Sequence, residues 1–308
     1  MLNRIASIII IIIICVVAAG CNGGEKPAED GGLKIVTTTG MIEDAVKNIV
    51  GDRARVKALM GPGVDPHLYK ATQGDLSELN GAGVVFYNGL HLEGKMVDAL
   101  EKMGRTKKVV AVADGVDTAL LRRPAEFKGN HDPHIWFDVK IWSQAVRKIA
   151  DEMKQVDPEH AGEYEKNATA YMARLDSLDT WVRGEIASIP RDQRVLVTAH
   201  DAFGYFGRAY DIEVRGLQGI STVSEFGLAD ISSLVDMIAT RKIRSVFVES
   251  SVPKRSIEAV VQGVRAKGHE VTIGGQLFSD AMGAAGTAEG TYIGMVSANV
   301  NTVVKALR

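Results

Sequence analysis

Seven histidines, at positions 67, 91, 131, 134, 160, 200 and 269, hold most of this chain's metal-ligating capacity, because its two cysteines, Cys15 and Cys21, both fall in the first 21 residues. A metal site in the body must therefore be built from imidazole and carboxylate. Three of the histidines stand in unusual surroundings. His67 ends the stretch Gly61-Pro-Gly-Val-Asp-Pro-His67, whose prolines and glycines fix a loop directly after a predicted strand. His134 lies in Asn130-His-Asp-Pro-His134-Ile-Trp-Phe-Asp138, where Pro133 stiffens the approach and Asp138 can cap a following helix. His200 follows a predicted strand at 194–198. Ligands of open α/β sheets gather beyond the carboxyl ends of strands, which is where His67 and His200 fall. A fourth donor would come from Asp280, in the loop from Gly274 to Gly283 after the last predicted strand, although by residue type Asp280 serves equally well as a helix cap. His91, His160 and His269 read as structural, helix-surface and pre-strand residues.

The elements that must position these groups alternate along the chain. Short β-branched runs at 34–38, 54–59, 84–87 and 108–112 are separated by amphipathic stretches, including a helix expected over 92–103. The second half repeats the pattern with strands at 194–198, 212–214, 245–248 and 270–273, and helices near 228–241, 253–266 and 290–307. Such alternation predicts parallel, doubly wound sheets flanked by helices. Between the halves, Pro158 to Ile189 places apolar residues at Tyr164, Ala168, Tyr171, Leu175, Leu178, Val182 and Ile186, a helical spacing over nearly the whole stretch. A helix of about 30 residues would reach roughly 45 Å, the length of two lobes. Pro158 suits its first turn and Pro190 ends it; two helices broken near Asp176 are the alternative. The expected organisation is an N-terminal lobe at 33–157, one long rigid linking helix at 158–190 and a C-terminal lobe at 191–308.

The 308 residues are 46% hydrophobic and 24% charged with a formal charge of -2, enough apolar material for sizeable cores and no basic field to draw nucleic acid. The N-terminus reads as an address. Arg4 precedes an uncharged, isoleucine-rich run from Ile5 to Gly20, shorter than the roughly 20 residues of a bilayer span and suited to a signal peptide. The run ends Val17-Ala-Ala-Gly-Cys21 and resembles a bacterial lipobox, with Ala18 where Leu is commoner, so residues 1–20 would be removed and Cys21 would carry lipid. Residues 21–32, polar and Gly-rich, would form a flexible tether. A plain signal peptide or an uncleaved anchor helix is the alternative.

Taken together, Gly61 to Tyr69, Asn88-Gly-Leu-His-Leu-Glu93, Asp132-Pro-His-Ile-Trp136, His200 to Phe206, Val246-Phe-Val-Glu-Ser250 and Leu277 to Gly283 resemble the zinc- and manganese-binding lipoproteins of ABC importers, the cluster A-I solute-binding proteins of TroA type. The resemblance runs in order along essentially the whole mature chain. It implies two α/β lobes joined by a long helix, one Zn²⁺ or Mn²⁺ per chain held in the cleft by His67, His134, His200 and Asp280, and delivery to an ABC permease and its ATPase. It also implies a lipid-anchored monomer on the extracytoplasmic face of a bacterial membrane. Three imidazoles and a carboxylate form a borderline N/O set suited to Zn²⁺, and a bidentate Asp280 would move the coordination number toward what Mn²⁺ accepts. Four protein donors reserve no position for a catalytic water, no HExxH pair occurs, and no catalytic residue is expected. A zinc-dependent hydrolase and a surface metallo-adhesin are the rival readings. Glu249 and Asp201 are positioned to accept the remaining ring N–H of the ligand histidines, although an ion pair and a helix-start cap would explain them as well. Zinc-dedicated relatives carry a long His- and acid-rich loop where Gly115 to Gly129 has no histidine, and manganese-dedicated ones tend to have Glu where this chain has His200. The sequence therefore stands between the two subclasses.

Overall fold

The computed structural model describes residues 32–127 and 129–308. The expected signal segment, the expected lipid site Cys21 and the expected tether up to residue 31 lie outside the described residues. No helix among the described residues is long and apolar enough to cross a membrane.

The first half alternates β1 (Leu33–Thr37), α1 (Gly40–Val50), β2 (Ala54–Ala58), α2 (Gln73–Gly81), β3 (Val84–Tyr87), α3 (Val97–Met103) and β4 (Lys108–Ala111). Its strands form one sheet in the order β2-β1-β3-β4, every pair parallel. β3 is an apolar run buried along most of its length, as a strand covered on both faces requires, whereas β2 at the edge alternates half-buried and exposed positions. The second half follows with β5 (Val195–His200), α6 (Gly204–Tyr210), β6 (Glu213–Gln218), α7 (Leu228–Arg241), β7 (Ser245–Glu249), α8 (Arg255–Ala266), β8 (Thr272–Leu277) and α9 (Tyr292–Leu307). Here β5 pairs with β6 and β7 with β8, again in parallel; β5 and β7 run beside each other with no ladder joining them.

Between the halves stand α4 (Val139–Val156) and α5 (Ala161–Ala187). Asp138 caps α4 as its position predicts, its carboxylate accepting from the N–H groups of Lys140 and Ile141. α5 has 27 residues, about 40 Å at helical rise, and is preceded by a single 3-10 turn at Pro158–His160. It does not break near Asp176, where the exposed carboxylate pairs with Lys140 Nζ at 2.7 Å while the apolar stripe from Tyr164 to Ile186 stays buried. One contiguous apolar cluster contains that stripe, Ile35 and Phe86 of the first sheet, Leu196 and Phe247 of the second half, and the buried face of α9. The first sheet and both strand pairs of the second half therefore reach one shared core, and each half adds a smaller apolar cluster of its own.

Three local departures from the sequence reading have identifiable causes. The helix expected from Leu92 starts only at Val97, because the Glu93 carboxylate accepts from Asn88 N–H at 2.6 Å, Gly89 N–H and Thr38 Oγ1, winding residues 88–96 into a turn. Leu90 and His91 sit there in the left-handed region. The last strand runs four residues beyond Ile273 because its ladder with β7 continues to Leu277 opposite Glu249, and glycine is needed on the way, where a Cβ on Gly274 would lie 2.6 Å from Ala306 of α9. β5 extends to His200, so that histidine ends the strand instead of following it.

Candidate metal centre

Each half delivers two of the four proposed donors to one point. His67 comes from the loop after β2, His200 from the last position of β5, and Asp280 from the loop after β8. His134 arrives by the long connection beyond β4, immediately before a 3-10 turn at Ile135–Phe137. All four are buried, with relative exposures of 1% or less. Their ligand atoms lie within 4.8 Å of one another. His67 Nε2 is 3.3 Å from His134 Nε2, and Asp280 Oδ2 is 3.3 Å from His200 Nε2 and 3.7 Å from His67 Nε2. The other carboxylate oxygen, Oδ1, is 3.4 Å from His134 Nε2. Four donors each about 2.0–2.1 Å from a common centre define a tetrahedron with edges of about 3.3–3.4 Å, which these separations approach. Asp280 offers an oxygen to each side, so the same arrangement accepts four- or five-fold ligation.

The surroundings set the direction of each ring. His134 Nδ1–H donates to Asp132 Oδ1 at 2.8 Å, and the other oxygen of Asp132 pairs with Arg122 Nη1. His200 Nδ1–H donates to Glu249 Oε2 at 2.5 Å, while its backbone N–H donates to Glu249 Oε1 at 2.8 Å, so one carboxylate joins the ends of β5 and β7. With Nδ1 committed in both rings, Nε2 faces the centre. Trp136 Nε1–H donates to the Ser279 carbonyl at 3.0 Å and Tyr292 Oη–H to the Trp136 carbonyl at 2.7 Å, tying the His134 segment to the Asp280 loop. His200 Nε2 and both oxygens of Asp280 have no hydrogen-bond partner among the described residues. Buried polar atoms left in that state are costly unless something else satisfies them.

Charge follows from burial and neighbours. Burial pushes the His67 imidazole down to about 3, against the pull of Asp280. Burial acts the same way on His134, but Asp132 and Asp280 outweigh it and lift that ring to about 9. His200 is held well above the ordinary imidazole value because Glu249 and Asp280 overcome desolvation. Asp280 is kept well below the usual carboxylate range, burial being overridden by His200 and His134. The bare cluster is thus a carboxylate between two imidazolium rings and a neutral third.

Two of the supporting acids differ from the sequence reading. Asp201 meets no ligand ring among the described residues; its backbone N–H donates to the Gln218 carbonyl at 3.0 Å, and the acid that serves His134 is Asp132. Asp65 is a further supporting acid, absent from the sequence reading. The tripeptide Asp-Pro-His occurs twice, at 65–67 and 132–134, and in both copies Oδ1 of the aspartate accepts the histidine backbone N–H, at 2.9 and 3.0 Å. That repetition was the available signal: a proline-stiffened turn in which the first residue holds the third.

Parallel sheets in two halves, a helix long enough to span both, and a buried three-histidine, one-aspartate cluster at the strand ends define a solute-binding protein of the metal-uptake class. Residues 35–306 match the family model described as ZnuA, zinc-uptake complex component A, periplasmic, and the chain belongs to that family. It is 53% identical over 276 residues to the manganese-binding lipoprotein MntA of Bacillus subtilis, covering 90% of each chain. It is 32% identical over 295 residues to the manganese ABC transporter substrate-binding lipoprotein PsaA of Streptococcus mitis, covering 93% of each. The solved structure of the periplasmic zinc-binding protein TroA from Treponema pallidum superimposes with a TM-score of 0.88 at 50% identity, covering 90% of this chain and 99% of that one. The family works as the extracytoplasmic substrate-binding component of ABC importers and is not a family of enzymes.

Proposed function

We propose that His67, His134, His200 and Asp280 together bind one Zn²⁺ or Mn²⁺ as cargo, and that the chain passes the ion to an ABC permease and its ATPase. In this reading the body is a monomer with lobes at 33–157 and 191–308 on the linking helix 158–190, held to the outer face of a bacterial membrane by lipid on Cys21. Glu249 and Asp132 fix the rings of His200 and His134, and no side chain acts catalytically. The observation that carries the assignment is the convergence of four buried ligand atoms within 4.8 Å, two of them, His200 Nε2 and the Asp280 oxygen, without hydrogen-bond partners among the described residues. Because Asp280 can ligate through one oxygen or both, the donor set suits either ion, and the Irving–Williams order makes zinc the tighter of the two in vitro. Relatives named for manganese and for zinc are similar to this chain in nearly equal degree.

The test is a metal titration of the full chain and of His200→Ala and Asp280→Ala. One ion per chain is expected for the wild type, and affinity lower by at least a hundredfold in variants that still fold. Undiminished binding in both variants would refute the ligand set.

A further inference from the structure

His134 and His200 each have a carboxylate on Nδ1, whereas His67 Nδ1 has no hydrogen-bond partner among the described residues. His67 is held instead through its main chain, by Asp65 Oδ1. The second oxygen of Asp65 accepts from Thr222 Oγ1 at 2.6 Å, a contact between residues 157 apart in sequence. Thr222 belongs to the loop after β6 in the other half of the chain. Its carbonyl accepts from Gln218 Nε2 at 2.7 Å, and Gln218 lies opposite His200 in the β5–β6 ladder. An unbroken set of contacts therefore runs from the strand carrying His200, through Gln218, Thr222 and Asp65, to the backbone of His67.

The second Asp-Pro-His turn shows what is distinctive here. There the outer oxygen of Asp132 takes Arg122, whose chain lies in the same half as His134. In the first turn the outer oxygen reaches across the cleft to a hydroxyl on a half-buried loop. A hydrogen bond to a carboxylate stabilises by more than a neutral pair, and this one closes the His67 loop over the ligand atoms from the opposite side.

We infer that Thr222 is a positioning residue for the cargo: its hydroxyl, acting through Asp65, holds His67 against the opposite half and sets how long the metal stays bound. The inference rests on the ligand assignment proposed above. It predicts a dissociation effect, since breaking the strut leaves all four ligands in the chain and loosens only the approach of one.

The test uses the full chain in mild detergent, loaded with Zn²⁺ and separately with Mn²⁺, with metal release followed by stopped flow into excess fluorescent chelator. Thr222→Val removes the hydroxyl at nearly constant volume and is expected to speed release on the order of tenfold, with the association rate changed less than about twofold. Thr222→Ser, which keeps the hydroxyl, is expected to release at the wild-type rate; a role in packing alone would not be rescued this way. Release from Thr222→Val at the wild-type rate, or from Thr222→Ser as fast as from Thr222→Val, would overturn the inference and leave the ligand assignment standing. Failure of the ligand assignment shows separately, as absent binding by the wild type or undiminished binding by His200→Ala and Asp280→Ala.

Discussion

Loading the site with a divalent ion should expel about two protons near pH 7.5. Ligation through Nε2 needs a free lone pair on all three rings. In the metal-free protein His67 already has one, because burial holds it neutral down to about 3. His134, lifted to about 9 by Asp132 and Asp280, and His200, held well above the usual imidazole range by Glu249 and Asp280, each carry a proton that the ion must displace. Two displaced protons make apparent affinity rise about 100-fold per pH unit, roughly 2.7 kcal/mol at 1.36 kcal/mol per proton and unit. The climb begins to flatten as pH passes about 9, where His134 deprotonates unaided. Calorimetric titration at one pH in buffers of different ionisation enthalpy measures the count directly, as the slope of observed heat against buffer heat. Glu249→Gln should lower the count toward one. A slope below about one proton in the wild type would refute the reasoning, since it would mean the carboxylates do not hold the empty site protonated.

The same groups govern the stability of the metal-free protein. Where the folded value lies above the unfolded one, near 6.5, stabilisation is fully present below about 6.5 and is lost as pH rises through about 9 for His134. The metal-free melting temperature is therefore expected to fall across that window by scanning calorimetry while that of the loaded protein holds, and a metal-free value that rises would contradict the assignment. Gly204→Ala would place a Cβ 1.3 Å from Arg122 Nη1 and drive the guanidinium off Asp132. A loss of about 1–3 kcal/mol by urea denaturation is expected, with little further loss on adding Arg122→Ala; fully additive effects would count against it. Leu175→Ala, in the buried stripe of α5, should cost about 2–5 kcal/mol and keep a single unfolding transition, because strands of both halves share its core. Two resolved transitions by fluorescence and circular dichroism would show that the halves unfold independently.

The parts legible in the sequence were those governed by local pattern. The stripe from Tyr164 to Ile186 has one spacing throughout and became one helix, and α7 runs over the expected 228–241. The convergence of His67, His134, His200 and Asp280 was reachable because three of them stand at or just beyond the carboxyl ends of parallel strands. What escaped depends on distant partners. The turn at 88–96 looks helical until Glu93 is seen to be occupied by Asn88, Gly89 and Thr38. Asp201 is next to His200 in sequence, yet the acid that matters for a second ring is Asp132, set by a proline turn. α2 does carry a local start signal, Thr72 and Asp75 forming a reciprocal capping pair.

The split in the second half has a mechanical meaning. β5 and β7 lie side by side with no ladder, and at their outer ends Glu249 takes both the backbone and the ring N–H of His200. A cation on Nε2, a proton in the empty site and the ion in the loaded one, makes the opposite ring N–H a strong donor, so Glu249 keeps its grip in both states. The seam behaves like a zip with its slider at the rim: positive charge on the His200 ring keeps the two strand pairs together, and an empty site that loses its proton at high pH lets them part. Amide exchange along residues 195–199 and 245–248 would then quicken with rising pH in the metal-free protein beyond its intrinsic pH dependence, and not in the loaded one.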